Sequence, residues 1–288
     1  MVFTSVSPPK YVVFSGGGQR GLAYAGAITA LKDVYGIHLS RGLKGAAGTS
    51  IGAMFALLMV LGLDAKQVEQ EIEDADMHAL LSMNIGLLLT RYGLDDGQRL
   101  ETRINSLISR FTRLTKPSLA ELQAFTGREF KCVATDVCLN QPFYMSAATT
   151  PDLPVAKAVA ISMAIPPIFC PTPYQDKVLV DGGFVDNFPM HAFPLHETLG
   201  LRVNWTCGFS MDSMDKYFGR VSYCALASSE AALLDKLTVE QQAQILVIEV
   251  GDISTFDLRL SDQEKRIIQD IGKTALTQSN LFAAMPKS

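Results

Sequence analysis

The stretch KYVVFSGGGQRG, residues 10–21, joins a short apolar run to a cluster of glycines. Tyr11–Phe14 has the composition of a buried strand, and Gly16, Gly18 and Gly21 follow it with the spacing G-x-G-x-x-G. Two kinds of site use a glycine turn at the end of a strand. One binds a dinucleotide, and the other stabilises an oxyanion that forms during a reaction. The rest of the sequence decides between them.

A dinucleotide site makes further demands that this sequence does not meet. It needs an acidic residue about 20 positions further on, at the end of the next strand, to bind the ribose. The corresponding stretch, IHLSRGLKGAAG (residues 37–48), has no Asp or Glu, and Asp33 lies too early, inside the predicted helix. A P-loop would need Gly-Lys-Ser or Gly-Lys-Thr, whereas Gln19 and Arg20 follow the glycines here. The sequence therefore disfavours a nucleotide site.

A second glycine turn, AAGTSIGA (residues 46–53), contains the pattern G-x-S-x-G at Gly48, Ser50 and Gly52. This pattern is typical of a nucleophile elbow, where a serine on a sharp strand-to-helix turn has strained backbone angles and only small neighbours leave room. A helix-capping serine between packing glycines would give the same pattern. Because the turn lies between an apolar strand and an apolar helix, we predict Ser50 to be a nucleophile.

Beside a nucleophilic serine, the first glycine loop could stabilise an oxyanion. Acyl transfer passes through an oxyanion, which backbone N–H groups at a helix N-terminus stabilise. We predict Gly16, Gly17 and Gly18 as this oxyanion hole, because residues without a Cβ can approach the substrate closely. Arg20 could contact an anionic head group, and a structural ion pair is an equally good interpretation of it.

The base that activates the serine has two candidate arrangements. In VLVDGG, Asp181 ends an apolar strand and is followed by Gly182 and Gly183, which would present one carboxylate into a pocket. A lone aspartate can deprotonate a serine if burial raises its pKa above the usual value of about 3.9. Because His191 comes after Asp181 in the chain, a triad of Ser50, Asp181 and His191 is the alternative.

The composition of the 288 residues excludes several classes of protein. Apolar residues make up 48% and charged residues 19%, as in globular proteins. A net charge of −4 without a basic block disfavours binding to nucleic acid. The five cysteines form no C-x-x-C pair, which predicts reduced thiols and no metal site. We see no signal peptide and no apolar run of the roughly 18 residues that span a membrane, so we expect a cytoplasmic protein.

Periodicity and capping patterns predict strands that alternate with helices, and therefore an α/β fold. Strands are predicted at 11–14, 129–139, 141–148, 177–184 and 244–250, the second and third forming a hairpin. Helices are predicted at 20–34, 50–61, 64–90 with interruptions, 95–111, 155–164 and 261–283, and a Ser118–Glu121 capping box predicts one more. With no repeat and no linker visible, we expect one domain over residues 1–288.

Three motifs in this order, GGGQRG, GTSIG and DGG, resemble those of the patatin-like phospholipase family. The segments VATDVCLNQPFYMS, ISMAIPPIFCP and DGGFVDNFP are similar to further family segments, except that Ile161 stands where a small residue is usual. The resemblance extends over residues 11–190, and 191–288 would complete the fold with a strand and helices. It implies a three-layer α/β/α architecture with a central, mostly parallel sheet.

The resemblance also implies a Ser50–Asp181 dyad without histidine, an oxyanion hole at Gly16–Gly18, and calcium-independent lipid acyl hydrolysis. We therefore expect an enzyme without metal or cofactor that cleaves fatty acyl esters of phospholipids or related lipids through an acyl-serine intermediate. A triad esterase acting on small soluble esters and a non-catalytic, lipid-sensing patatin fold are the alternatives. Membrane contact would be transient. MNIGLLLTRYGL (residues 83–94) could provide it, although its composition favours a buried helix.

Overall fold

A computed structural model describes residues 8–36, 38–74, 79–204, 214–251 and 260–279. The eight strands within these ranges form one mixed, mostly parallel sheet, in the order β5-β6-β3-β2-β1-β7-β8 with β4 also paired to β3. They are β1 (Tyr11–Phe14), β2 (Gly45–Thr49), β3 (Glu129–Asp136), β4 (Gln141–Ser146), β5 (Thr172–Tyr174), β6 (Lys177–Asp181), β7 (Thr198–Asn204) and β8 (Ile245–Glu249).

Helices flank this sheet, which confirms the predicted three-layer α/β class. They are α1 (Ala23–Tyr35), α2 (His38–Gly42), α3 (Ile51–Leu61), α4 (Ala65–Glu73), α5 (Ile85–Arg91), α6 (Gln98–Thr112), α7 (Leu119–Thr126), α8 (Val155–Ser162), α9 (Gly183–Asp186), α10 (Met214–Leu234), α11 (Val239–Gln242) and α12 (Asp262–Gln278). No helix within the described ranges combines the length and the apolarity needed to cross a membrane.

The alternating side chains of β1 enter two hydrophobic cores on opposite faces of the sheet. Val12 and Phe14 belong to the larger core, which α1 and α3 help to form, while Val13 belongs to a smaller core with Phe188 and Met190. This alternation follows from the pleat, which points successive side chains to opposite faces. Because both faces are covered, the strand contains only apolar residues.

The last described helix, α12, packs closely on α1. A Cβ built on Gly272 would lie 1.8 Å from the carbonyl oxygen of Ala23, and one built on Gly26 would lie 1.8 Å from that of Gln269. Both positions therefore need glycine for the helix axes to come this close. Residues well beyond position 190 thus pack directly against the helix that follows the first glycine loop.

The sheet brings the carboxyl ends of β2 and β6 together. One edge of β3 pairs with β4 between Lys131 and Asp136, so β2 and β6 share the opposite edge. The parallel strand β2 reaches Val133 on this edge, and the antiparallel strand β6 ends at the next residue, Ala134. Strands β2 and β6, which are far apart in sequence, therefore end at neighbouring positions along β3.

Most predicted elements are confirmed, and several features differ from prediction. The sequence patterns do not predict the strands β5 and β7 or the helices α2, α10 and α11, and the helix α9 begins inside the strand predicted at 177–184. The buried-helix interpretation of residues 83–94 is wrong, because α5 has no buried residue and Leu89 is 78% exposed. The end of the helix predicted to reach Ala283 and the middle of the segment predicted helical at 64–90 lie outside the described residues.

Candidate active site

Ser50 occupies a strained turn between β2 and α3. Its φ of 56° and ψ of −128° lie in a region that residues with a side chain rarely adopt. A Cβ on Gly48 would lie 2.1 Å from the carbonyl oxygen of Gly52, and a Cβ on Gly52 would lie 2.5 Å from that of Phe14. The two glycines of the G-x-S-x-G pattern are thus required by the turn itself, and the turn has the geometry of a nucleophile elbow.

A buried serine that sequence reasoning did not single out supports this turn. The Ser50 N–H donates to Ser162 Oγ over 3.1 Å, and the Ser162 hydroxyl donates to the Val133 carbonyl over 2.6 Å. Ser162 is fully buried at the end of α8. The signal in the sequence is weak: Ser162 is one small polar residue at the end of a mostly apolar helix, just before the PP turn of ISMAIPPIFCP.

Asp181 lies next to Ser50 because β2 and β6 end at adjacent positions along β3. Thr49 pairs with Val133 and Asp181 pairs with Ala134, so the two chain ends are one residue step apart, about 3.8 Å along β3. Gly182 follows directly, and a Cβ there would lie 2.3 Å from the Val133 carbonyl oxygen. The first glycine of DGG is therefore needed where β6 meets β2.

The Asp181 carboxyl is enclosed, with 1% of the residue exposed. Burial raises the pKa of Asp181 to about 6, although hydrogen bonds from Ser50 and Gly183 lower it. Oδ1 accepts the Gly183 N–H over 2.8 Å. The other carboxyl oxygen, Oδ2, is also buried, and the Ser50 side chain lies within hydrogen-bonding range of the carboxyl group. A buried carboxylate that is more basic than usual can accept a proton from a serine.

The first glycine loop borders Ser50, and one of its three predicted donors is already used. The N–H of Gly16 donates to the carbonyl of Asn187 over 2.9 Å. A Cβ on Gly16 would lie 3.3 Å from Ser50 Cβ, so the loop contacts the elbow directly. Gly17 and Gly18 begin a 3-10 helix, where N–H groups have no intrahelical partner. Of the three predicted oxyanion donors, the N–H groups of Gly17 and Gly18 therefore remain as candidates.

Arg20 and His191 do not join Ser50 and Asp181 in this arrangement. Arg20 is 2% exposed, so contact with a lipid head group would require the loop to open. His191 is exposed in a 3-10 turn (Met190–Ala192) and makes no hydrogen bond with Asp181. The buried Arg20 is therefore closed off from a head group in solvent, and the alternative triad lacks the hydrogen bond between aspartate and histidine. Another histidine, His78, lies outside the described residues.

Comparisons with known proteins agree with this combination of fold and site. The family model of patatin-like phospholipases matches residues 12–194, more than half of the chain. The chain therefore belongs to the patatin-like phospholipase family, a family of lipid hydrolases. A protein of invertebrate iridescent virus 6 described as a probable lipid hydrolase is 26% identical over 196 residues, which are 63% of each chain. YqhO of Bacillus subtilis, which is uncharacterized, is 27% identical in an alignment that covers 91% of this chain and 94% of YqhO.

Solved structures show the same fold at low sequence identity. VipD from Legionella pneumophila superimposes with a TM-score of 0.64 at 18% identity, covering 96% of this chain and 67% of VipD. ExoU of Pseudomonas aeruginosa, in its heterodimeric complex with SpcU, gives a TM-score of 0.54 at 19% identity. That match covers 96% of this chain and 52% of the other. The chain thus spans about half of the ExoU structure, and the likeness is one of fold.

Proposed function

We propose that this chain is a calcium-independent lipid acyl hydrolase that cleaves fatty acyl esters of phospholipids or related lipids on a Ser50–Asp181 dyad. The observation that carries the proposal is the meeting of a strained serine with a buried, unusually basic carboxylate at the ends of β2 and β6. In this account the enzyme works in the cytoplasm and contacts the membrane surface transiently.

Acylation begins when Ser50 Oγ attacks the carbonyl carbon of the ester. Its proton passes to Asp181, and the carbonyl oxygen becomes an oxyanion that accepts hydrogen bonds from the N–H groups of Gly17 and Gly18. Collapse of this intermediate breaks the ester bond. The leaving alcohol, a lysolipid, takes the proton from Asp181, and the acyl group remains on Ser50.

Deacylation repeats these steps with water as the nucleophile. Water gives one proton to Asp181 and attacks the acyl-Ser50 carbonyl, and the same two N–H groups stabilise the second oxyanion. The bond to Ser50 Oγ then breaks, Oγ regains the proton, and the fatty acid leaves. Asp181 serves as base and then as acid in each half-reaction, so a pKa of about 6 suits both tasks near neutral pH.

The test is release of fatty acid from mixed phospholipid vesicles in the presence of EDTA. We expect turnover by the native protein and loss by at least about a thousandfold in Ser50→Ala, because the nucleophile is removed. His191→Ala is the matched control that separates the dyad from a triad. It should keep most of the native rate, since His191 is exposed and makes no hydrogen bond with Asp181. A silent native protein, or one that needs calcium, would contradict the proposal.

A further inference from the structure

An exposed apolar surface is formed by residues 83–94, which we call the α5 segment. Four of its large side chains, those of Met83, Ile85, Leu89 and Tyr92, are each more than half exposed. Arg91 is the only residue of the segment that carries a charge at neutral pH. Isolated exposed apolar side chains are common, but four within ten residues concentrate apolar surface in one short segment, and concentrated apolar surface is typical of interaction sites.

The α5 segment is held in a defined conformation despite its exposure. Asn84 caps α5 by accepting the N–H groups of Gly86 and Leu87. The Asn84 N–H donates to the Leu94 carbonyl over 2.7 Å, which closes the segment at its base. Asp95 is buried and accepts the N–H of Ser82 through its carboxylate. The apolar side chains are therefore presented outward by an anchored loop.

Backbone hydrogen bonds connect this segment to the candidate active site. The Leu94 N–H donates to the Ile168 carbonyl over 3.0 Å, and the Cys170 N–H donates to the Asp95 carbonyl over 2.8 Å. In the same loop, the Ala164 carbonyl accepts the N–H of Asp181 over 2.9 Å. Only a short loop thus separates the exposed patch from the residue that we propose as the base.

We propose that the α5 segment docks the enzyme on a phospholipid bilayer, with Ile85 and Leu89 entering the acyl region and Arg91 at the head groups. This proposal rests on the proposed function, which requires acyl chains to pass from a bilayer to a recessed serine. A single positive charge beside aliphatic side chains suits an anionic bilayer surface, where apolar groups enter the hydrocarbon and basic groups stay at the interface. Because one short loop connects the α5 segment to Asp181, a bilayer bound at this segment would bring its lipids close to the candidate active site.

The experiment measures binding and turnover separately. Binding is followed by flotation with vesicles of phosphatidylcholine and phosphatidylglycerol, using the Ser50→Ala protein so that the lipid stays intact. Adding Ile85→Ser and Leu89→Ser should lower vesicle binding about tenfold or more, because two aliphatic side chains no longer leave water. In the active protein, the same pair should lower the ratio of vesicle turnover to turnover of a water-soluble short-chain ester.

Val239→Ser provides the matched control, since Val239 is 79% exposed on α11 and Leu89 is 78% exposed. It should leave both vesicle binding and the turnover ratio unchanged. Vesicle binding that is unaffected by the Ile85 and Leu89 changes would overturn the docking proposal, whatever the enzyme hydrolyses. A shift from dimer to monomer in the same variant, with vesicle binding unchanged, would assign the patch to a second copy instead. A native protein that binds vesicles through α5 but cleaves no ester would instead refute the proposed function.

A second inference concerns Glu230, a buried glutamate on helix α10 that is connected to the first glycine loop through Asn187. Asn187 contacts Gly16 twice: its carbonyl accepts the Gly16 N–H, and its Nδ2 donates to the Gly16 carbonyl over 3.4 Å. The same Nδ2 also donates to Glu230, which is 4% exposed. Glu230 in turn accepts the Nε–H of Arg202 over 2.7 Å.

The geometry points to Glu230 as a positioning residue that holds the first glycine loop in place through Asn187, while Arg202 balances the negative charge of Glu230. This role assumes that the loop performs the proposed function. Glu230 and Arg202 both lie beyond residue 194, where the family model ends. A buried carboxylate requires compensation, and here it receives two donors that orient it toward Asn187. The C-terminal part of this chain thus adds a support for the site that the family motifs do not contain.

Glu230→Gln tests this role, because an amide has one acceptor oxygen where the two donors require two. On a soluble ester we expect kcat to fall between about tenfold and a hundredfold with little change in KM, as for a misplaced catalytic group. Amide hydrogen exchange in the loop at residues 15–21 should accelerate, a measurement that needs no turnover. It therefore separates failure of the positioning role from failure of the proposed function.

Glu71→Gln is the matched control. Glu71 is also a buried glutamate in ion pairs, with Arg103 and Arg110, and it lies on α4. Its loss should destabilise the fold by a similar amount and leave kcat and exchange in the loop unchanged. Native kcat and native loop exchange in Glu230→Gln would overturn the positioning role. An equal loss of kcat in Glu71→Gln would also overturn it, by tracing both effects to stability.

Discussion

Replacing Asp181 by asparagine should stabilise the fold while it abolishes activity. The carboxylate is enclosed, and burial raises its pKa from 3.8 to about 6. Asparagine has nearly the same shape and keeps an oxygen that can accept the Gly183 N–H, but it carries no charge that burial would penalise. The two effects have opposite directions because the property that makes Asp181 basic is also unfavourable for folding.

The size of the gain follows from the pKa. The difference between 3.8 and about 6, at about 1.4 kcal/mol per pH unit, corresponds to about 3 kcal/mol. Because the folded chain holds this proton more tightly than the unfolded chain, the contribution of protonated Asp181 to stability is fully present below about pH 4. It is lost as the pH rises to about 6. The native protein should lose this stability over that range, and Asp181→Asn should not.

The assay is urea denaturation of both proteins at several pH values between about 4 and 8. We expect the free energy of unfolding of Asp181→Asn, relative to the native protein, to increase by about 3 kcal/mol across this range. Hydrolysis of a soluble ester by the same sample should be lost. A stability difference that does not change with pH would refute the reasoning, since it would mean that the pKa of Asp181 is not raised. So would an active variant.

Three further predictions concern the same site and the fold that surrounds it. First, kcat/KM for a soluble ester should fall about tenfold per pH unit below about pH 6, where Asp181 takes up a proton, and a flat profile would contradict the role of base. Second, Ser162→Ala should lower stability by about 1–3 kcal/mol, measured by denaturation, because the Ser50 N–H loses a buried acceptor; an unchanged stability would count against this support. Third, we expect one cooperative thermal transition for the whole chain, with a lower midpoint in Gly272→Ala because of the clash with Ala23. Two separate transitions would oppose a single domain.

The parts of the molecule that follow from local sterics could be predicted from the sequence. The turn at Ser50 requires glycine at two fixed offsets, and the end of β6 requires it at Gly182, so short motifs carry this information. Capping boxes at Ser118 and Ser261 likewise identify helix starts, because the side chain and the backbone that it caps are three residues apart. The α/β class follows from the same alternation of strand and helix patterns.

The remaining features depend on contacts between residues that are far apart in sequence. Neither Ser162 nor Glu230 stands out locally, since each acquires its role from a partner 112 or 43 positions away. The use of the Gly16 N–H by Asn187 could not be foreseen from a glycine pattern. The exposure of α5 could not be foreseen either, because an apolar helix of this length is normally buried. Only the tertiary structure shows that nothing in the described chain covers Leu89.

Covalent labelling with a fluorophosphonate, mapped by mass spectrometry, tests the central claim most directly. The reagent reacts with serines that a neighbouring base activates, and it places a phosphonyl group where the acyl group would be. We predict one adduct per chain, on the peptide that contains Ser50, formed much more slowly in Asp181→Asn. No adduct on the folded native protein, or an adduct on another serine, would contradict the assignment of Ser50 and Asp181 as the catalytic pair.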